Sequence, residues 1–274
     1  VNRNQPRTRV ILLTSTHERH RYVAGVVARH LELAGLWQEE KSFDPESYAG
    51  SDQDLADIRE HFAGRDQSER EYFGASALEG LPVDRQPRRL PAGAINHPQE
   101  VAAMVRLRPE MVLVFGTGLL GRQLLEAFPG RVLNIHLGLS PYYRGSGTNF
   151  WPLVNGEPEQ VGATIHFVDP GIDTGRIIAH VRPPMAAGDG PHDLGNKTIQ
   201  AAAAALVEAA QAVAGGGVRA WEQNGPGRLF QRKDFNAQAV RRLYRNFAEG
   251  MIPRYLAEKD QRDAGLHLVH LERK

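Results

Sequence analysis

The 274-residue chain is 41% hydrophobic and 24% charged, enough apolar content to bury one large core or two modest ones, with nothing in the composition that signals disorder. Its formal net charge of +1 gives no footing for a nucleic-acid or membrane-surface protein and leaves substrates of either sign open. The absence of cysteine excludes disulfides, thiolate zinc sites and thiol nucleophiles. The opening "VNRNQPRTR" lacks the apolar run of a leader and no segment reaches 18 uninterrupted apolar residues, so a cytoplasmic protein with no membrane partner is expected.

In chain order, "RVILLTS" (Arg9 to Ser15) reads as a buried strand. "RYVAGVVARHLELAG" then repeats at helical spacing through Val23, Val26, Val27, His30 and Leu31 to a stop at Gly35. Residues 44–75 are charged and hold no long apolar run, yet Leu55, Ile58, His61 and Phe62 share one helical face, which predicts a peripheral helix. "HPQEVAAMVRLRP" predicts a helix opened near Pro98 with His97 as its cap, "EMVLVFGTGLL" a buried strand entering a loop, and "RVLNIHLG" the next strand. From Gly162 to Val181 the pattern alternates as two antiparallel strands joined by an Asp/Gly-rich loop, and "DLGNKTIQAAAAALVEAAQAVAGGG" is a helix closed by Gly215 to Gly217. The remainder predicts a short hairpin and one or two helices, with Arg241, Arg242 and Arg245 on a solvated helix face; residues 219–274 hold 12 Lys and Arg against 7 Asp and Glu, an excess of 5. The succession predicts an α/β, Rossmann-like, mostly parallel twisted sheet with helices on both faces. Residues 1–215 would form the principal domain and residues 216–274 a short mixed hairpin and helical extension packed on it. Ligands of such a sheet sit outside the carboxyl ends of its strands.

Two polar residues stand at one of those ends. Asn134 and His136 are two apart in a strand and therefore point to the same side. In isolation a core histidine beside a turn former would be the plain reading. Asp173, on a Gly-flanked loop some forty residues on, changes that balance. An Asn, a His and an Asp brought together supply an oxyanion donor, a general acid, and a carboxylate that orients the imidazole and keeps it protonated. Such a site needs no metal.

"NIHLGLSPYYRG" followed by "GATIHFVDPGIDTG" combines Asn-x-His, a Pro-x-Tyr-Arg-Gly loop, a Gly-x-Thr-x-His strand and an Asp-x-Gly loop in one order. In this the chain resembles the folate-dependent formyltransferase family, which includes glycinamide ribonucleotide, methionyl-tRNA and amino-sugar formyltransferases. The likeness runs from about Arg9 to Gly215 and is strongest from Met111 to His180. The resemblance implies that Asn134, His136 and Asp173 are catalytic, that 10-formyltetrahydrofolate is the formyl donor, and that a small-molecule amine is the acceptor. It places the pterin against "VLVFGTGLLG", making Leu113, Phe115, Gly116, Thr117, Gly118, Leu119 and Leu120 the donor-site candidates. Tyr142, Tyr143, Arg144 and Gly145 lie beside the trio as acceptor contacts, and the Ser140-Pro141 bond before them is expected to be cis. After the first strand "TSTHERHRY" stands where glycinamide ribonucleotide enzymes carry a Gly/Ser-rich phosphate loop, which argues for a different acceptor. Its His17, Arg19, His20, Arg21 and Tyr22 fit acceptor binding and a solvated turn equally. Gly138 stands where the family usually has serine. His166, alternating with Thr164, is expected to pack behind the trio rather than react.

Three classes of function use this constellation differently. Transfer to an amine comes first. A hydrolase passing the formyl group to water would use the same trio, but family deformylases carry a regulatory domain before the catalytic one, and here the first strand starts near Arg9. The tRNA-formylating members carry a further β-barrel after it, whereas some sixty largely helical, mildly basic residues follow here, so no nucleic-acid partner is expected. A non-catalytic folate-binding protein would leave the trio as decoration and ranks last. The acceptor reading that fits best is a nucleotide-linked amino sugar, with an ornithine-like metabolite amine as the alternative. A homodimer is compatible with either.

Overall fold

The computed structural model describes residues 7–41, 44–74, 86–225 and 227–274. The first six residues of the predicted principal domain and residue 75 of the charged stretch lie outside them. Strands β1 (Arg9–Thr14), β2 (Glu32–Glu39), β3 (Arg88–Leu90), β4 (Met111–Phe115), β5 (Val132–His136), β7 (Ala163–Phe167) and β8 (Ile177–Val181) form one sheet in the order β3-β2-β1-β4-β5-β7-β8; β6 (Tyr143–Gly145) and β9 (Arg228–Phe230) pair separately. Pairing is parallel from β3 to β5 and antiparallel across β5, β7 and β8. The chain builds outward from β1 and returns to lay β4 on its other side, so the topological switch point falls between β1 and β4.

Alternation along each central strand feeds two cores. Val10, Leu12, Leu113, Phe115, Leu133 and Ile135 face helices α1 (Glu18–His30) and α6 (Pro191–Ala214). Ile11, Leu13, Val112, Val114 and Val132 face α3 (Pro98–Arg106) and α4 (Arg122–Ala127) on the opposite side. Each fully buried aliphatic side chain stabilises the fold by about 1.5–3 kcal/mol relative to exposure. The expected α/β architecture with helices on both faces is what the chain adopts, and the Ser140-Pro141 bond is cis as expected. Among the described residues no helix is long and apolar enough to cross a membrane.

Four local expectations are corrected. The first helix ends at His30, and "ELAGLWQE" is β2 rather than its last turns. Gly35 is not a stop: it sits in β2, where a Cβ would stand 2.5 Å from the Trp37 ring and 2.7 Å from Leu107. His97 occupies the N-cap position of α3 but its side chain makes no capping bond. Arg241 on α7 (Ala237–Ala248) is not simply solvated: it bridges to Asp54 and Asp57 of the peripheral helix α2 (Asp52–Phe73), each at 2.5 Å.

The fourth correction concerns the predicted hairpin after residue 217. β9 instead pairs in parallel with β6, Tyr143 opposite Arg228 and Gly145 opposite Phe230, while Trp221 bridges Ile177 of β8. Beyond it, Ala239 and Leu243 of α7 and Met251 and Ile252 of α8 (Met251–Ala257) close over Tyr143, Trp151, Leu153, Val154, Val161 and Leu194 to form a third core. The segment after α6 is thereby stitched to the edge of the sheet that carries the polar residues.

Candidate active site

β5 presents Asn134 and His136 on the side of Val132, and its antiparallel neighbour β7 sets His166 directly opposite Asn134 and Thr164 opposite His136. Directly opposed residues share a face, so four polar side chains converge where the apolar pattern stops. Asp173 reaches them from the β7–β8 loop. Its φ of +51° lies in the left-handed region that non-glycine residues take at a cost of about 1–3 kcal/mol, a conformation concentrated at functional sites. Gly175 permits the loop to close, because a Cβ there would fall 1.7 Å from Phe167 O.

The hydrogen-bond pattern fixes the roles. His166 Nδ1 is 2.7 Å from Phe167 O, which only accepts, so Nδ1 carries the hydrogen. In the neutral ring Nε2 then accepts from Asn134 Nδ2 at 3.0 Å, and the second amide hydrogen of Asn134 remains for a ligand oxygen. His136, only 5% exposed, has two acceptors around it: Tyr143 O at 2.8 Å from Nε2 and Asp173 Oδ2 at 3.2 Å from Nδ1. That surrounding satisfies an imidazolium. Burial presses the His136 pKa below the usual histidine value, against the upward pull of Asp173 and the Tyr143 carbonyl, with His166 and Arg144 adding to the downward push. Burial pushes the Asp173 carboxyl up, but His166, the His136 charge and the Gly145 N–H outweigh it and hold the group below the ordinary carboxylate range. The result is a fixed carboxylate beside an acid that gives up its proton readily.

Neighbouring residues hold this geometry. Thr164 Oγ1 donates to Gly138 O at 2.6 Å and accepts from Ser140 N at 2.9 Å, pinning the turn after β5. A Cβ on Gly138 would stand 2.6 Å from Thr148 Cβ and 2.7 Å from His136 Nε2, which accounts for glycine where the resembling family usually has serine. Gly145, with φ +89°, donates its N–H to Asp173 Oδ2 at 3.2 Å and so orients the carboxylate.

Several predicted contacts are corrected. Tyr143 points into the third core, its hydroxyl bonded to Glu157 at 2.6 Å and Asn155 at 2.9 Å and its ring stacked on Phe230; only its carbonyl serves the site. The Tyr142 hydroxyl accepts from His267 N at 2.9 Å, away from the trio. Strand alternation in β6 sends Arg144 the other way, and its Nε is buried without a partner among the described residues. Leu113 and Phe115 face the α1 side of the sheet, opposite to Asn134 and His136, and cannot cover a ring beside them. Arg19 is held by Glu69 of α2 and Arg21 by Glu18 one helical turn away, while the His20 ring lies against Phe115 with Nδ1 2.8 Å from Thr14 Oγ1.

The loop after β4 remains as predicted in place, but residues that sequence reasoning passed over shape it. Buried Glu39 accepts from Gly93 N and Gly118 N, Asn96 spans Leu119 O and Gly121 N, and Lys41 donates to Thr117 O. Gly116, at φ +72°, passes so close to His20 that a Cβ would fall 2.5 Å from its ring. The loop is thus shaped by the protein itself, and it offers Leu119, 70% exposed, at the carboxyl end of β4 next to β5. An exposed apolar side chain on a braced glycine loop suits a flat aromatic ligand. His166 was visible in the sequence as a strand residue but not as a partner of both Asn134 and Asp173, since that requires the β5–β7 register. Lys41, lowered to about 8 by burial and by Arg232 and Arg19, also gave no signal, being a single basic residue directly after two glutamates.

A family profile described as "Formyl transferase" matches residues 8–210. The methionyl-tRNA formyltransferase of Trichlorobacter lovleyi is 32% identical over 130 residues, 47% of this chain and 39% of that protein, and that of Desulforamulus reducens is 36% identical over 103 residues, 37% of this chain and 32% of that protein. The chain therefore matches about a third to two-fifths of the length of these curated relatives. Among solved structures, WlaRD, a sugar 3N-formyl transferase determined in the presence of dTDP and 5-N-formyl-THF, superposes with a TM-score of 0.55 at 18% identity over 84% of this chain and 72% of that one. Glycinamide ribonucleotide transformylase 1 from Symbiobacterium toebii gives 0.53 at 19% identity over 80% and 96%. At such identities these superpositions establish the fold alone.

Proposed function

We propose, from the premise that this chain belongs to the formyl transferase family, that its site transfers a formyl group from 10-formyltetrahydrofolate to a primary amine. The observation that carries this reading is the linked set Asn134, His166, Asp173 and His136, with Asp173 facing both imidazoles. The free acceptor amine attacks the formyl carbon, whose oxygen gains charge and is met by the spare Asn134 N–H, while the His136 imidazolium, its two N–H groups held by Tyr143 O and Asp173, stabilises that charge as a nearby cation. The attack forms the new C–N bond, the acceptor's surplus proton leaves toward Asp173, and collapse of the adduct breaks the bond to N10 of the folate, which takes up one proton so that the proton lost by the amine balances the one gained by N10. The products are a formamide and tetrahydrofolate. The loop from Gly116 to Leu120 would hold the donor's bicyclic ring, with Leu119 covering it.

The acceptor we infer is a nucleotide-linked amino sugar. Arg144, with its unpartnered Nε, lies near enough to His136 to depress the ring's pKa, and Lys41, its own pKa lowered by burial and by Arg232 and Arg19, bonds Thr117 O in the loop after β4, so one cation stands beside the trio and another on the candidate donor loop. Just beyond β9 an open surface cleft of about 560 Å³ is lined by Ser47, Ala49, Gly50 and Asn236 together with Tyr48, Lys233 and Phe235, whose aromatic faces and single cation suit a base and a phosphate. The test is incubation with 10-formyltetrahydrofolate and a panel of dTDP- and UDP-linked amino sugars, ornithine, glycinamide ribonucleotide and methionyl-tRNA, followed by mass spectrometry. A formyl mass gain on an amino-sugar nucleotide is expected. Gain on another member alone overturns the acceptor assignment, and release of formate without any gain overturns transfer in favour of hydrolysis.

A further inference from the structure

Gln223 lies beyond the residues that the family profile matches, on the segment between α6 and β9. Its Nε2 is 2.8 Å from Asp173 O and 2.7 Å from Gly175 O. Both partners are carbonyls, which only accept, so the amide must face them through its two N–H groups; turned over, Oε1 would oppose two like dipoles. One NH2 group therefore ties together the backbone on either side of Thr174. The first of these carbonyls belongs to the left-handed Asp173, and the second to the glycine pressed against Phe167 O.

Gln223 is itself anchored. Trp221 exchanges both backbone hydrogen bonds with Ile177 at 2.8 Å, and Arg219 lies 3.8 Å over the Trp221 ring. Residues two apart in an extended segment share a side, so Trp221 pairing sets where Gln223 points. Gln223 Oε1 is buried with no partner among the described residues, a cost that the two Nε2 bonds must offset.

We propose that Gln223 is a positioning residue for the transfer: by clamping the Asp173 and Gly175 carbonyls it holds the Asp173 carboxylate toward His136 Nδ1 and the Gly145 N–H. The claim rests on the formyl-transfer reading of the site, but its test needs no acceptor. In the full chain labelled with 15N-histidine, the His136 ring nitrogens are followed against pH by proton–nitrogen correlation, with His136→Gln identifying the signals. The charged and titratable groups facing His136 are Asp173, His166, Arg144 and, across Thr164 on β8, His180, and only the first is addressed by the clamp. Asp173→Asn is expected to move the His136 midpoint to lower pH. Gln223→Met, of similar length but with no donor, is expected to move it the same way by at least a third as much, while the melting temperature stays within a few degrees of the parent. A parent-like midpoint in folded Gln223→Met overturns the proposal. Should the Met variant not fold, Gln223→Asn keeps the amide but is one methylene too short to span both carbonyls, and a parent-like midpoint there overturns it equally. A failed acceptor panel would leave this result standing, and a parent-like midpoint would leave the proposed transfer standing.

Discussion

Because a Cβ at position 138 would meet both Thr148 and the His136 ring, the penalty at that position belongs to the first carbon of any side chain rather than to a hydroxyl. Gly138→Ala and Gly138→Ser should therefore lose stability alike, by about 1–3 kcal/mol, and should lower turnover together. Chemical denaturation and single-turnover assays measure both, and a tolerated serine beside a damaging alanine would show that the hydroxyl has a use here. Within the reacting set, Asn134→Ala should lower turnover by on the order of 10² to 10³ with folate affinity little changed, the loss usual for one oxyanion donor. Asp173→Asn should keep the fold and lose activity, since the amide can neither favour the imidazolium nor take the amine's proton; near-parental transfer by this variant would remove Asp173 from the chemistry. Asn134 and His136 were legible because a period of two needs no knowledge of neighbours. Tyr143 and Arg144 were not separable by sequence, since which of two adjacent residues faces the site depends on the partner strand, and that partner is β9.

At the scale of elements, α2 is fastened by His61, whose Nδ1 lies 3.1 Å from the Tyr244 hydroxyl of α7 and whose ring packs 4.9 Å from that of His192. Burial, with His192 and Arg65 nearby, lowers its pKa to about 3 in the folded chain. The unfolded chain, with histidine near 6.5, binds more protons between these values, so this contribution is complete above pH 6.5 and is lost as the pH falls toward 3. By pH 4.5 the loss amounts to about 2–3 kcal/mol. His180, lowered to about 4 by burial, acts with the same sign. Urea unfolding at pH 7, 5.5 and 4.5 should show the parent losing stability faster than His61→Gln; parallel losses would show that His61 does not set the acid limb. The helical face bearing Ile58 and His61 was readable from spacing, whereas β2 was hidden: "LELAGLW" continues the apolar content of α1 without a break, and a strand buried on both faces has no alternation to betray it.

At the scale of the whole molecule, the segment after α6 is part of the core and of the site. Ala239, Leu243, Met251 and Ile252 cover Tyr143, Trp151, Leu153, Val154, Val161 and Leu194, and β9 lines the backbone of the Tyr-Arg-Gly loop. Removing residues 218–274 uncovers side chains that each contribute about 1.5–3 kcal/mol when buried, against a net stability of only about 5–15 kcal/mol for a typical domain. The shortened chain should bind a hydrophobic dye and melt without a cooperative transition, and a sharp calorimetric melt would show instead that the sheet stands alone. The sheet could be read from its repeating strand and helix signals. The pairing of β6 with β9 could not, because three-residue strands are too short to carry a period. That pairing also orders events during synthesis. When Asn134, His136 and Asp173 first leave the ribosome, Arg228 has not yet been made, so the nascent polypeptide holds these three side chains without the backbone that sets Gly145 against Asp173. That contact is completed late in translation, after the parallel sheet has had time to assemble.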